Sequence, residues 1–384
     1  MQYRKFGKLD VKVSALGFGT MRLPTDGDVF NSNRLSKDIV EPEAIKMIRH
    51  AIDRGVNYID TAYPYHGGNS EIVTGKALKD GYREKVMLAT KSPTWLIQQP
   101  EDFDRLLDEQ LQKLQTDYID FYLLHALSSD SWRNVILKHD IIKHAEAAKK
   151  AGKIKHIGFS FHDKADAFTE IVDGYDKWDF CQIQYNYMDI ENQAGMKGLK
   201  YAASKGLGVV IMEPLLGGRL ANPPKDIKNI LDSNNKEWSA SYWALQWLWN
   251  QPEVSLILSG MSNMQQVEEN IGSASNSGIG LFSREELDTI ELVRKKYNER
   301  AAIPCTGCSY CMPCPNNVNI PRNFELYNDS VVHEDVAGSR QTYHTFFDKV
   351  NHASECVQCR ICEEKCPQKI NISEWMPKVH AALG

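Results

Sequence analysis

The chain has 384 residues, 42% hydrophobic and 25% charged, with a formal net charge of -5. It is too long for one average domain, and its mild acidity argues against nucleic acid or an anionic membrane surface as partners, since both want a basic face. No apolar run approaches the roughly 20 residues of a membrane span, and no long apolar stretch follows the first basic residues, so a cytoplasmic location without a secretory leader is expected.

From residue 14 to about 275, short apolar runs alternate with amphipathic stretches. The runs are SALGFGT (14–20), NYIDTA (57–62), VMLATK (86–91), IDFYLLH (119–125), IKHIGFS (154–160), FCQIQY (180–185), GVVIMEP (208–214) and VSLILSG (254–260). They are rich in β-branched and aromatic residues and nearly continuous in hydrophobicity, as strands buried on both faces should be. Between the third and fourth, EDFDRLLDEQLQKLQ sets Phe103, Leu107, Leu111 and Leu114 on one helical face. Helices are expected to stop at glycine in DRG before NYIDTA, KKAG before KIKHIGFS and ASKG before LGVVIMEP. Strand–helix alternation demands parallel strands, because each helix returns the chain to the starting edge. Eight such units predict an α/β chain whose residues 1–283 close as a (β/α)8 TIM barrel. A doubly wound open sheet is the alternative, but no GxGxxG follows the first strand.

Barrel active sites gather at the C-terminal ends of the strands. There the second run ends in Asp60, the third in Lys91 and the fourth in His125. A lone lysine or histidine at a strand end is commonly structural; an acid, a base and an imidazole on three successive strands indicate a site. Tyr65 follows Asp60 by five residues, in DTAYPYHGGNSE, on the loop above the same rim. A phenol near pKa 10 is a poor acid at neutral pH unless a cation favours its phenolate, and Lys91 would supply that cation with Asp60 holding it.

DTAYPYHGGNSE, LATK and YLLH, in this order, resemble the Asp–Tyr–Lys–His tetrad motifs of the aldo-keto reductases, over about residues 1 to 280. The resemblance implies that Tyr65 protonates a carbonyl oxygen as hydride from NAD(P)H reaches the carbon. His125 would orient the small-molecule carbonyl substrate. It also implies cofactor contacts from Gly19, Thr20 and Met21 after the first strand and from Ser160, Gln182 and Met212 at later strand ends. Ser262, Glu269 and Asn270 would contribute from the last loop. For Ser160 and Gln182 the plainer reading is polar capping of strand ends. The chain departs from the family at Met212, where an aromatic is frequent, and at Phe161, where asparagine often follows the serine. Uncharged Gly260 and Gln266 stand where basic residues clamp a 2′-phosphate, so an NADPH preference has no support there. Loops 24–41 and 125–136, with Phe30 and Trp132, are expected to shape the substrate pocket.

SREELDTIELVRKKYNERA reads as one long helix, assigned as a connector over 284–302, and Pro304 breaks it. Eight of the nine cysteines follow in two runs. CVQCRICEEKCP (356–367) has the C-x2-C-x2-C-x3-C-P spacing of bacterial ferredoxins, and CTGCSYCMPCP (305–315) is one residue short in its last gap. In such runs three thiolates wrap one cubane and the fourth, before proline, binds the other cluster. That spacing assigns Cys305, Cys308, Cys311 and Cys366 to one [4Fe–4S] cluster and Cys356, Cys359, Cys362 and Cys314 to a second. The short gap leaves the exchange of fourth ligands open, and zinc held by four cysteines is the competing reading. Zinc sites, however, use CxxC pairs rather than CxxCxxC triples. The 41 residues between Cys314 and Cys356 carry two helical stretches, IPRNFELYNDSVVHEDVAG and TYHTFFDKVNHA. Residues 303–384 are therefore expected to form a smaller, mainly α-helical ferredoxin-type domain. Few apolar residues lie between the motifs, so its folding is expected to depend on cluster assembly. Cys181, alone in the sixth run, reads as a core residue.

Clusters move single electrons and a nicotinamide moves a pair as hydride. Three functions fit. One is a nicotinamide-dependent carbonyl reductase whose clusters are structural or regulatory. Another is a reductase coupled to ferredoxin or another electron carrier, with FMN splitting the pair. A third is an electron-carrier subunit with a lapsed barrel, which the intact tetrad opposes.

Overall fold

A computed structural model describes residues 1–25, 39–235 and 237–384. The chain divides into two compact units, Met1–Ala221 with Ser239–Leu287, and Asn222–Trp238 with Asp288–Gly384.

The first unit opens with an antiparallel hairpin, β1 (Tyr3–Lys5) and β2 (Lys12–Ser14). Then come β3 (Leu16–Gly19), β4 (Tyr58–Asp60), β5 (Met87–Ser92), β6 (Ile119–Leu127), β7 (Ile154–Phe161), β8 (Phe180–Gln184), β9 (Gly208–Met212) and β10 (Leu256–Gly260). These eight pair in chain order into a closed parallel barrel. Every apolar run of the sequence supplies one strand. The open-sheet alternative fails at the seam, where β10 pairs with β3 from Ile257↔Leu16 to Gly260↔Gly19. The helix Glu101–Leu114 buries Phe103, Leu107 and Leu114 against the barrel, as its period requires. Gly55, Gly152 and Gly206 end their helices with φ of 95°, 79° and 78°, a left-handed turn that side chains resist.

The hairpin was not legible, because RKFGKLDVK is mostly polar. It closes the N-terminal end of the barrel with Phe6, whose ring centroid lies 4.8 Å from Phe121 and 5.8 Å from Phe180. Gly7 permits the approach: a Cβ there would stand 2.3 Å from the Gly208 amide nitrogen. The other end, carrying Asp60, Lys91 and His125, is where a site can form.

The second unit contains the helices Ile320–Val332, Val336–Thr345 and Ile372–Leu383. Ile303, Phe324, Leu326, Tyr343, Met376 and Val379 form its core. One expectation is corrected here. The stretch FFDKVNHA is not α-helical: the helix stops at Thr345 and 3-10 turns follow at Lys349–Asn351 and Ala353–Glu355. The apolar residues between the motifs do not make a core alone: they pack with Ile303 and with residues from Ile370 through Leu383. The excursion Asn222–Trp238 joins this unit through Asp226, 2.8 Å from Arg300, and Asn234, whose Nδ2 donates to Thr289 Oγ1 at 3.1 Å. Among the described residues no helix is long and apolar enough to cross a membrane.

Candidate active site and cluster loops

The strand ends deliver the expected side chains to one rim. Lys91 is fully buried, and its Nζ donates to Asp60 Oδ1 at 2.7 Å, Asp60 Oδ2 at 2.8 Å and the Thr61 carbonyl at 2.7 Å. The same ammonium stands 5.2 Å from the centroid of the Tyr65 ring. The His125 ring meets that tyrosine edge-on, with centroids 6.4 Å apart and planes at 81°. Left-handed His66, Gly67 and Gly68 (φ 51°, 62° and 93°) turn the chain immediately after Tyr65.

A buried network behind Lys91 escaped the sequence reading. Glu71 accepts from Thr90 Oγ1 at 2.7 Å and from Gln110 Nε2 at 2.6 Å, and the same Nε2 donates to the Lys91 carbonyl at 3.0 Å. Tyr122 donates to Gln110 Oε1 at 2.7 Å. The network fixes the β5 backbone on which Lys91 stands. Only the position of Glu71 inside the tetrad motif hinted at it.

Burial pulls the Lys91 ammonium toward its neutral form, but Asp60 and Tyr65 more than offset this and hold its proton tightly. Burial lifts the Tyr65 phenol above its usual 10.0, with Lys91 drawing it only partly back. This corrects the expectation that the cation acidifies the phenol: desolvation wins, and Tyr65 stays protonated at neutral pH. Burial, then Lys91 and His162, push His125 well below 6.5, so its imidazole is neutral. Its Nδ1 is buried without a partner.

The residues implied for a nicotinamide divide into two groups. Ser160 Oγ accepts from the Ala126 N–H at 2.7 Å, so its capping reading holds at least in part. Gln182, 2% exposed, donates from Nε2 to Met212 Sδ at 3.5 Å, while its Oε1 has no partner. An orphaned buried acceptor beside the rim fits the N–H of a ligand carboxamide. Gly19 is in register with Asp60 and Gly260, and half-buried Met21 lies in the turn that follows. Thr20 and Asn270 are spent on their neighbours: Thr20 Oγ1 donates to the Asp60 carbonyl at 3.0 Å, and Asn270 Nδ2 donates to Ser259 Oγ at 3.0 Å. In the last loop the Ser262 N–H donates to Gln266 Oε1 at 2.8 Å. Exposed Glu269 accepts from the hydroxyls of Ser239 and Ser241 at 2.6 and 2.8 Å.

The pocket expectations need revision as well. Trp132 is 1% exposed and packs near Trp178, so it belongs to the core. Phe30 and residues 26–38 of its loop lie outside the described residues. The aromatic beside the imidazole is Trp95, 51% exposed and 5.1 Å from His125 between ring centroids.

In the second unit Cys305, Cys308, Cys311 and Cys366 line one cavity, walled by Ile320 and Phe324. Cys314 and Cys359 are the neighbouring thiols of Cys356, and Cys362 faces Cys356 and Cys311. The two runs fold alike. Gly307 and Gln358, Ser309 and Arg360, Asn317 and Lys369 occupy matching places, with φ of 68° and 57°, 62° and 63°, 61° and 54°. For non-glycine residues this conformation costs about 1–3 kcal/mol each, and such turns aim backbone N–H groups at an anionic centre. Strain repeated at matched positions in both runs marks a ligand site. The short gap does not disturb the match, because it falls between the third cysteine and the fourth. Burial lifts the thiols of Cys305, Cys311 and Cys356, and that of Cys362 to about 11, so cluster assembly must expel protons. Among the described residues no three His, Cys, Asp or Glu side chains converge enough to share one metal ion. A cubane asks for less convergence, because each thiolate binds a different iron. Cys181 is fully buried in the core.

Residues 15–293 match the family model described as "Aldo/keto reductase family", and residues 304–371 match the "4Fe-4S dicluster domain". The L-galactose dehydrogenase of Arabidopsis thaliana is 29% identical over 317 residues, 76% of this chain and 94% of that one. The NADH-specific methylglyoxal reductase of Escherichia coli is 28% identical, over 70% of this chain and 91% of its own. Among solved structures, the holo form of aldo-keto reductase AKR11C1 from Bacillus halodurans superposes with a TM-score of 0.62 at 26% identity, covering 76% of this chain and 96% of that one. An aldo-keto reductase from Klebsiella pneumoniae in complex with NADPH does so with 0.60 at 26%, covering 77% and 96%.

Proposed function

Because the chain belongs to the aldo/keto reductase family and carries a C-terminal 4Fe–4S domain, we propose that it reduces a small aldehyde or ketone with a nicotinamide cofactor. The observation that carries this reading is the Lys91 ammonium, pinned by both Asp60 oxygens beneath Tyr65 with His125 edge-on to the phenol. When bound, the nicotinamide supplies hydride to the carbonyl carbon. Tyr65, kept protonated by its burial, gives its proton to the carbonyl oxygen. Lys91 then stabilises the phenolate until solvent reprotonates it, and neutral His125 orients the oxygen by donating a hydrogen bond. Gln182 Oε1 would take a carboxamide N–H, Met212 would flank the ring, and Ser160 would sit beside them. Gly19, Met21, Ser262 and Glu269 stand as contacts for the rest of the cofactor, while Thr20 and Asn270, tied to the Asp60 carbonyl and to Ser259, would position that rim. The test is NADH oxidation with methylglyoxal, simple ketones and sugars. A protein that oxidises NADH with none of them and binds no nicotinamide refutes the reading.

The acid–base assignment predicts a pH profile. The Tyr65 pKa is raised, so the proton donor persists until pH rises past a value above 10, and the His125 pKa is lowered, so the imidazole does not charge near neutrality. The kcat for reduction should be flat from about pH 6.5 to about pH 9. An acidic limb near the ordinary histidine value would mean that His125 titrates in the working enzyme.

We further expect no strong NADPH preference, since Gly260 and Gln266 offer no cation to a 2′-phosphate and one relative is named as NADH-specific. Binding that favours NADPH by more than about 100-fold, roughly 2.7 kcal/mol, would show that another cation serves.

For the cysteines we read two [4Fe–4S] clusters with exchanged fourth ligands, and a domain division at 1–283, 284–302 and 303–384. A second reading has observational support. Cys359 is exposed, and Val357 and Ile361 beside it are 64% and 47% exposed. An apolar surface against a cluster ligand suits docking of ferredoxin or another carrier, with FMN over the tetrad splitting the electron pair. Absorbance of anaerobically purified protein separates the readings, because a flavin adds resolved bands to the broad cluster shoulder. A cytoplasmic protein without nucleic-acid or membrane partners remains the reading for its surroundings.

A further inference from the structure

Two buried side chains behind the tetrad take no part in the proton transfer itself. Ser70 and Glu71, both fully buried, stand side by side at the start of the helix Asn69–Ala77. Only His66, Gly67 and Gly68 separate that helix from Tyr65. Ser70 grips one side of the Lys91 cage. Its Oγ lies 2.9 Å from Thr61 Oγ1 and 2.7 Å from Thr20 Oγ1, and Thr20 Oγ1 donates onward to the Asp60 carbonyl at 3.0 Å. With that proton committed, the Ser70 hydroxyl donates to Thr20 and accepts from Thr61. Asp60 and Thr61 are the two residues that accept from the Lys91 ammonium. Glu71 grips the other side, where its Oε1 takes Thr90 Oγ1 and Gln110 Nε2, and that same Nε2 holds the Lys91 carbonyl. Neighbouring residues on the helix that follows Tyr65 thus hold both the acceptors of the Lys91 side chain and the backbone that carries it.

We propose that Ser70 and Glu71 form a cross-brace that sets the placement of Tyr65 against Lys91, so that both are positioning residues for proton transfer to the carbonyl. This role in catalysis rests on the reduction proposed above. A proton donor and its supporting cation work only in a narrow geometry, and the brace ties the two elements that carry them. Its chemistry is that of an acceptor rather than of a charge. Glu71 Oε2 makes no hydrogen bond, and Lys113, 3.9 Å from it, is held instead by Glu109 at 2.7 Å. A glutamine amide oxygen can therefore replace Glu71 Oε1.

The test compares Glu71→Leu, Glu71→Gln and Ser70→Ala in the full chain by steady-state kinetics and by hydrogen–deuterium exchange. Glu71→Leu and Ser70→Ala should each lower kcat by at least about tenfold, the scale of a misplaced reacting group. KM and NADH affinity should stay within about twofold, and the solvent isotope effect on kcat should rise as proton transfer becomes the slower step. Glu71→Gln should recover most of the loss. Exchange should quicken around both Tyr65 and Lys91 in Glu71→Leu and stay slow in Glu71→Gln. If Glu71→Leu does not fold, Thr90→Val, which removes one brace bond at constant shape, takes its place. Glu71→Gln as slow as Glu71→Leu, or a lowered melting temperature with kcat and exchange unchanged, overturns the brace. If the wild type reduces no carbonyl, the reductase reading fails and exchange alone decides: quickening at both segments upholds the brace, and unchanged exchange sinks it.

Discussion

Replacing Tyr65 by phenylalanine is expected to leave the barrel and the cofactor affinity intact while lowering kcat for carbonyl reduction by roughly 10²-fold or more, the scale of losing a positioned general acid. The substitution removes one oxygen from a half-buried ring and leaves the Lys91–Asp60 pair untouched. KM should move little, because the proton is given in the transition state. Lys91→Met should damage kcat similarly by a different route. Without the ammonium, the phenolate formed after proton transfer has no counter-charge, and Asp60 is left buried and unpaired, which also costs stability. Steady-state kinetics with thermal unfolding distinguishes the two: Tyr65→Phe loses rate alone, and Lys91→Met loses rate and melting temperature. A Tyr65→Phe protein that reduces its substrate at the wild-type rate would remove the tetrad from the mechanism.

Replacing Cys366 by alanine is expected to destroy the cluster held by the distant first run, although Cys366 belongs to the second. Cys366 is 8% exposed and lines the same cavity as Cys305, Cys308 and Cys311. Its thiol is a near neighbour of Cys305 and Cys311, whereas Cys314 neighbours Cys356. Fully reconstituted wild-type protein should hold about eight irons per chain, two cubanes of four. Cys366→Ala should hold about four. Combining it with Cys305→Ala should cost no further iron, because both act on one cluster, while combining it with Cys356→Ala should remove both clusters. Four irons in the wild type, or additive loss in the Cys305 pair, would sink the exchanged arrangement.

The strands and the tetrad were legible because their signals are local. A strand buried on both faces writes itself as an uninterrupted apolar run, and a barrel places the residue that ends such a run at the working rim. Helix periods and stop glycines such as Gly55 are equally short-ranged. Trp132 misled for the converse reason: an aromatic in a polar loop looks like a pocket wall, and only its packing near Trp178 shows it to be core. Glu71 and Gln110 were invisible because their function is to hydrogen-bond atoms far away in the chain.

By itself, then, the amino-acid order marked the eight strands, the candidate residues at their ends and the two cysteine runs, whose signals are periodicity and short-range spacing. Tertiary structure alone decided that Phe6 plugs the barrel floor, that Arg22 occupies the space over Gly260 and meets Glu213, and that Cys366 faces the first run. It also reversed the expected direction at Tyr65, where burial outweighs the neighbouring cation. Contacts between distant segments and the loss of water around a charge depend on the folded environment, and no local pattern of residues encodes them.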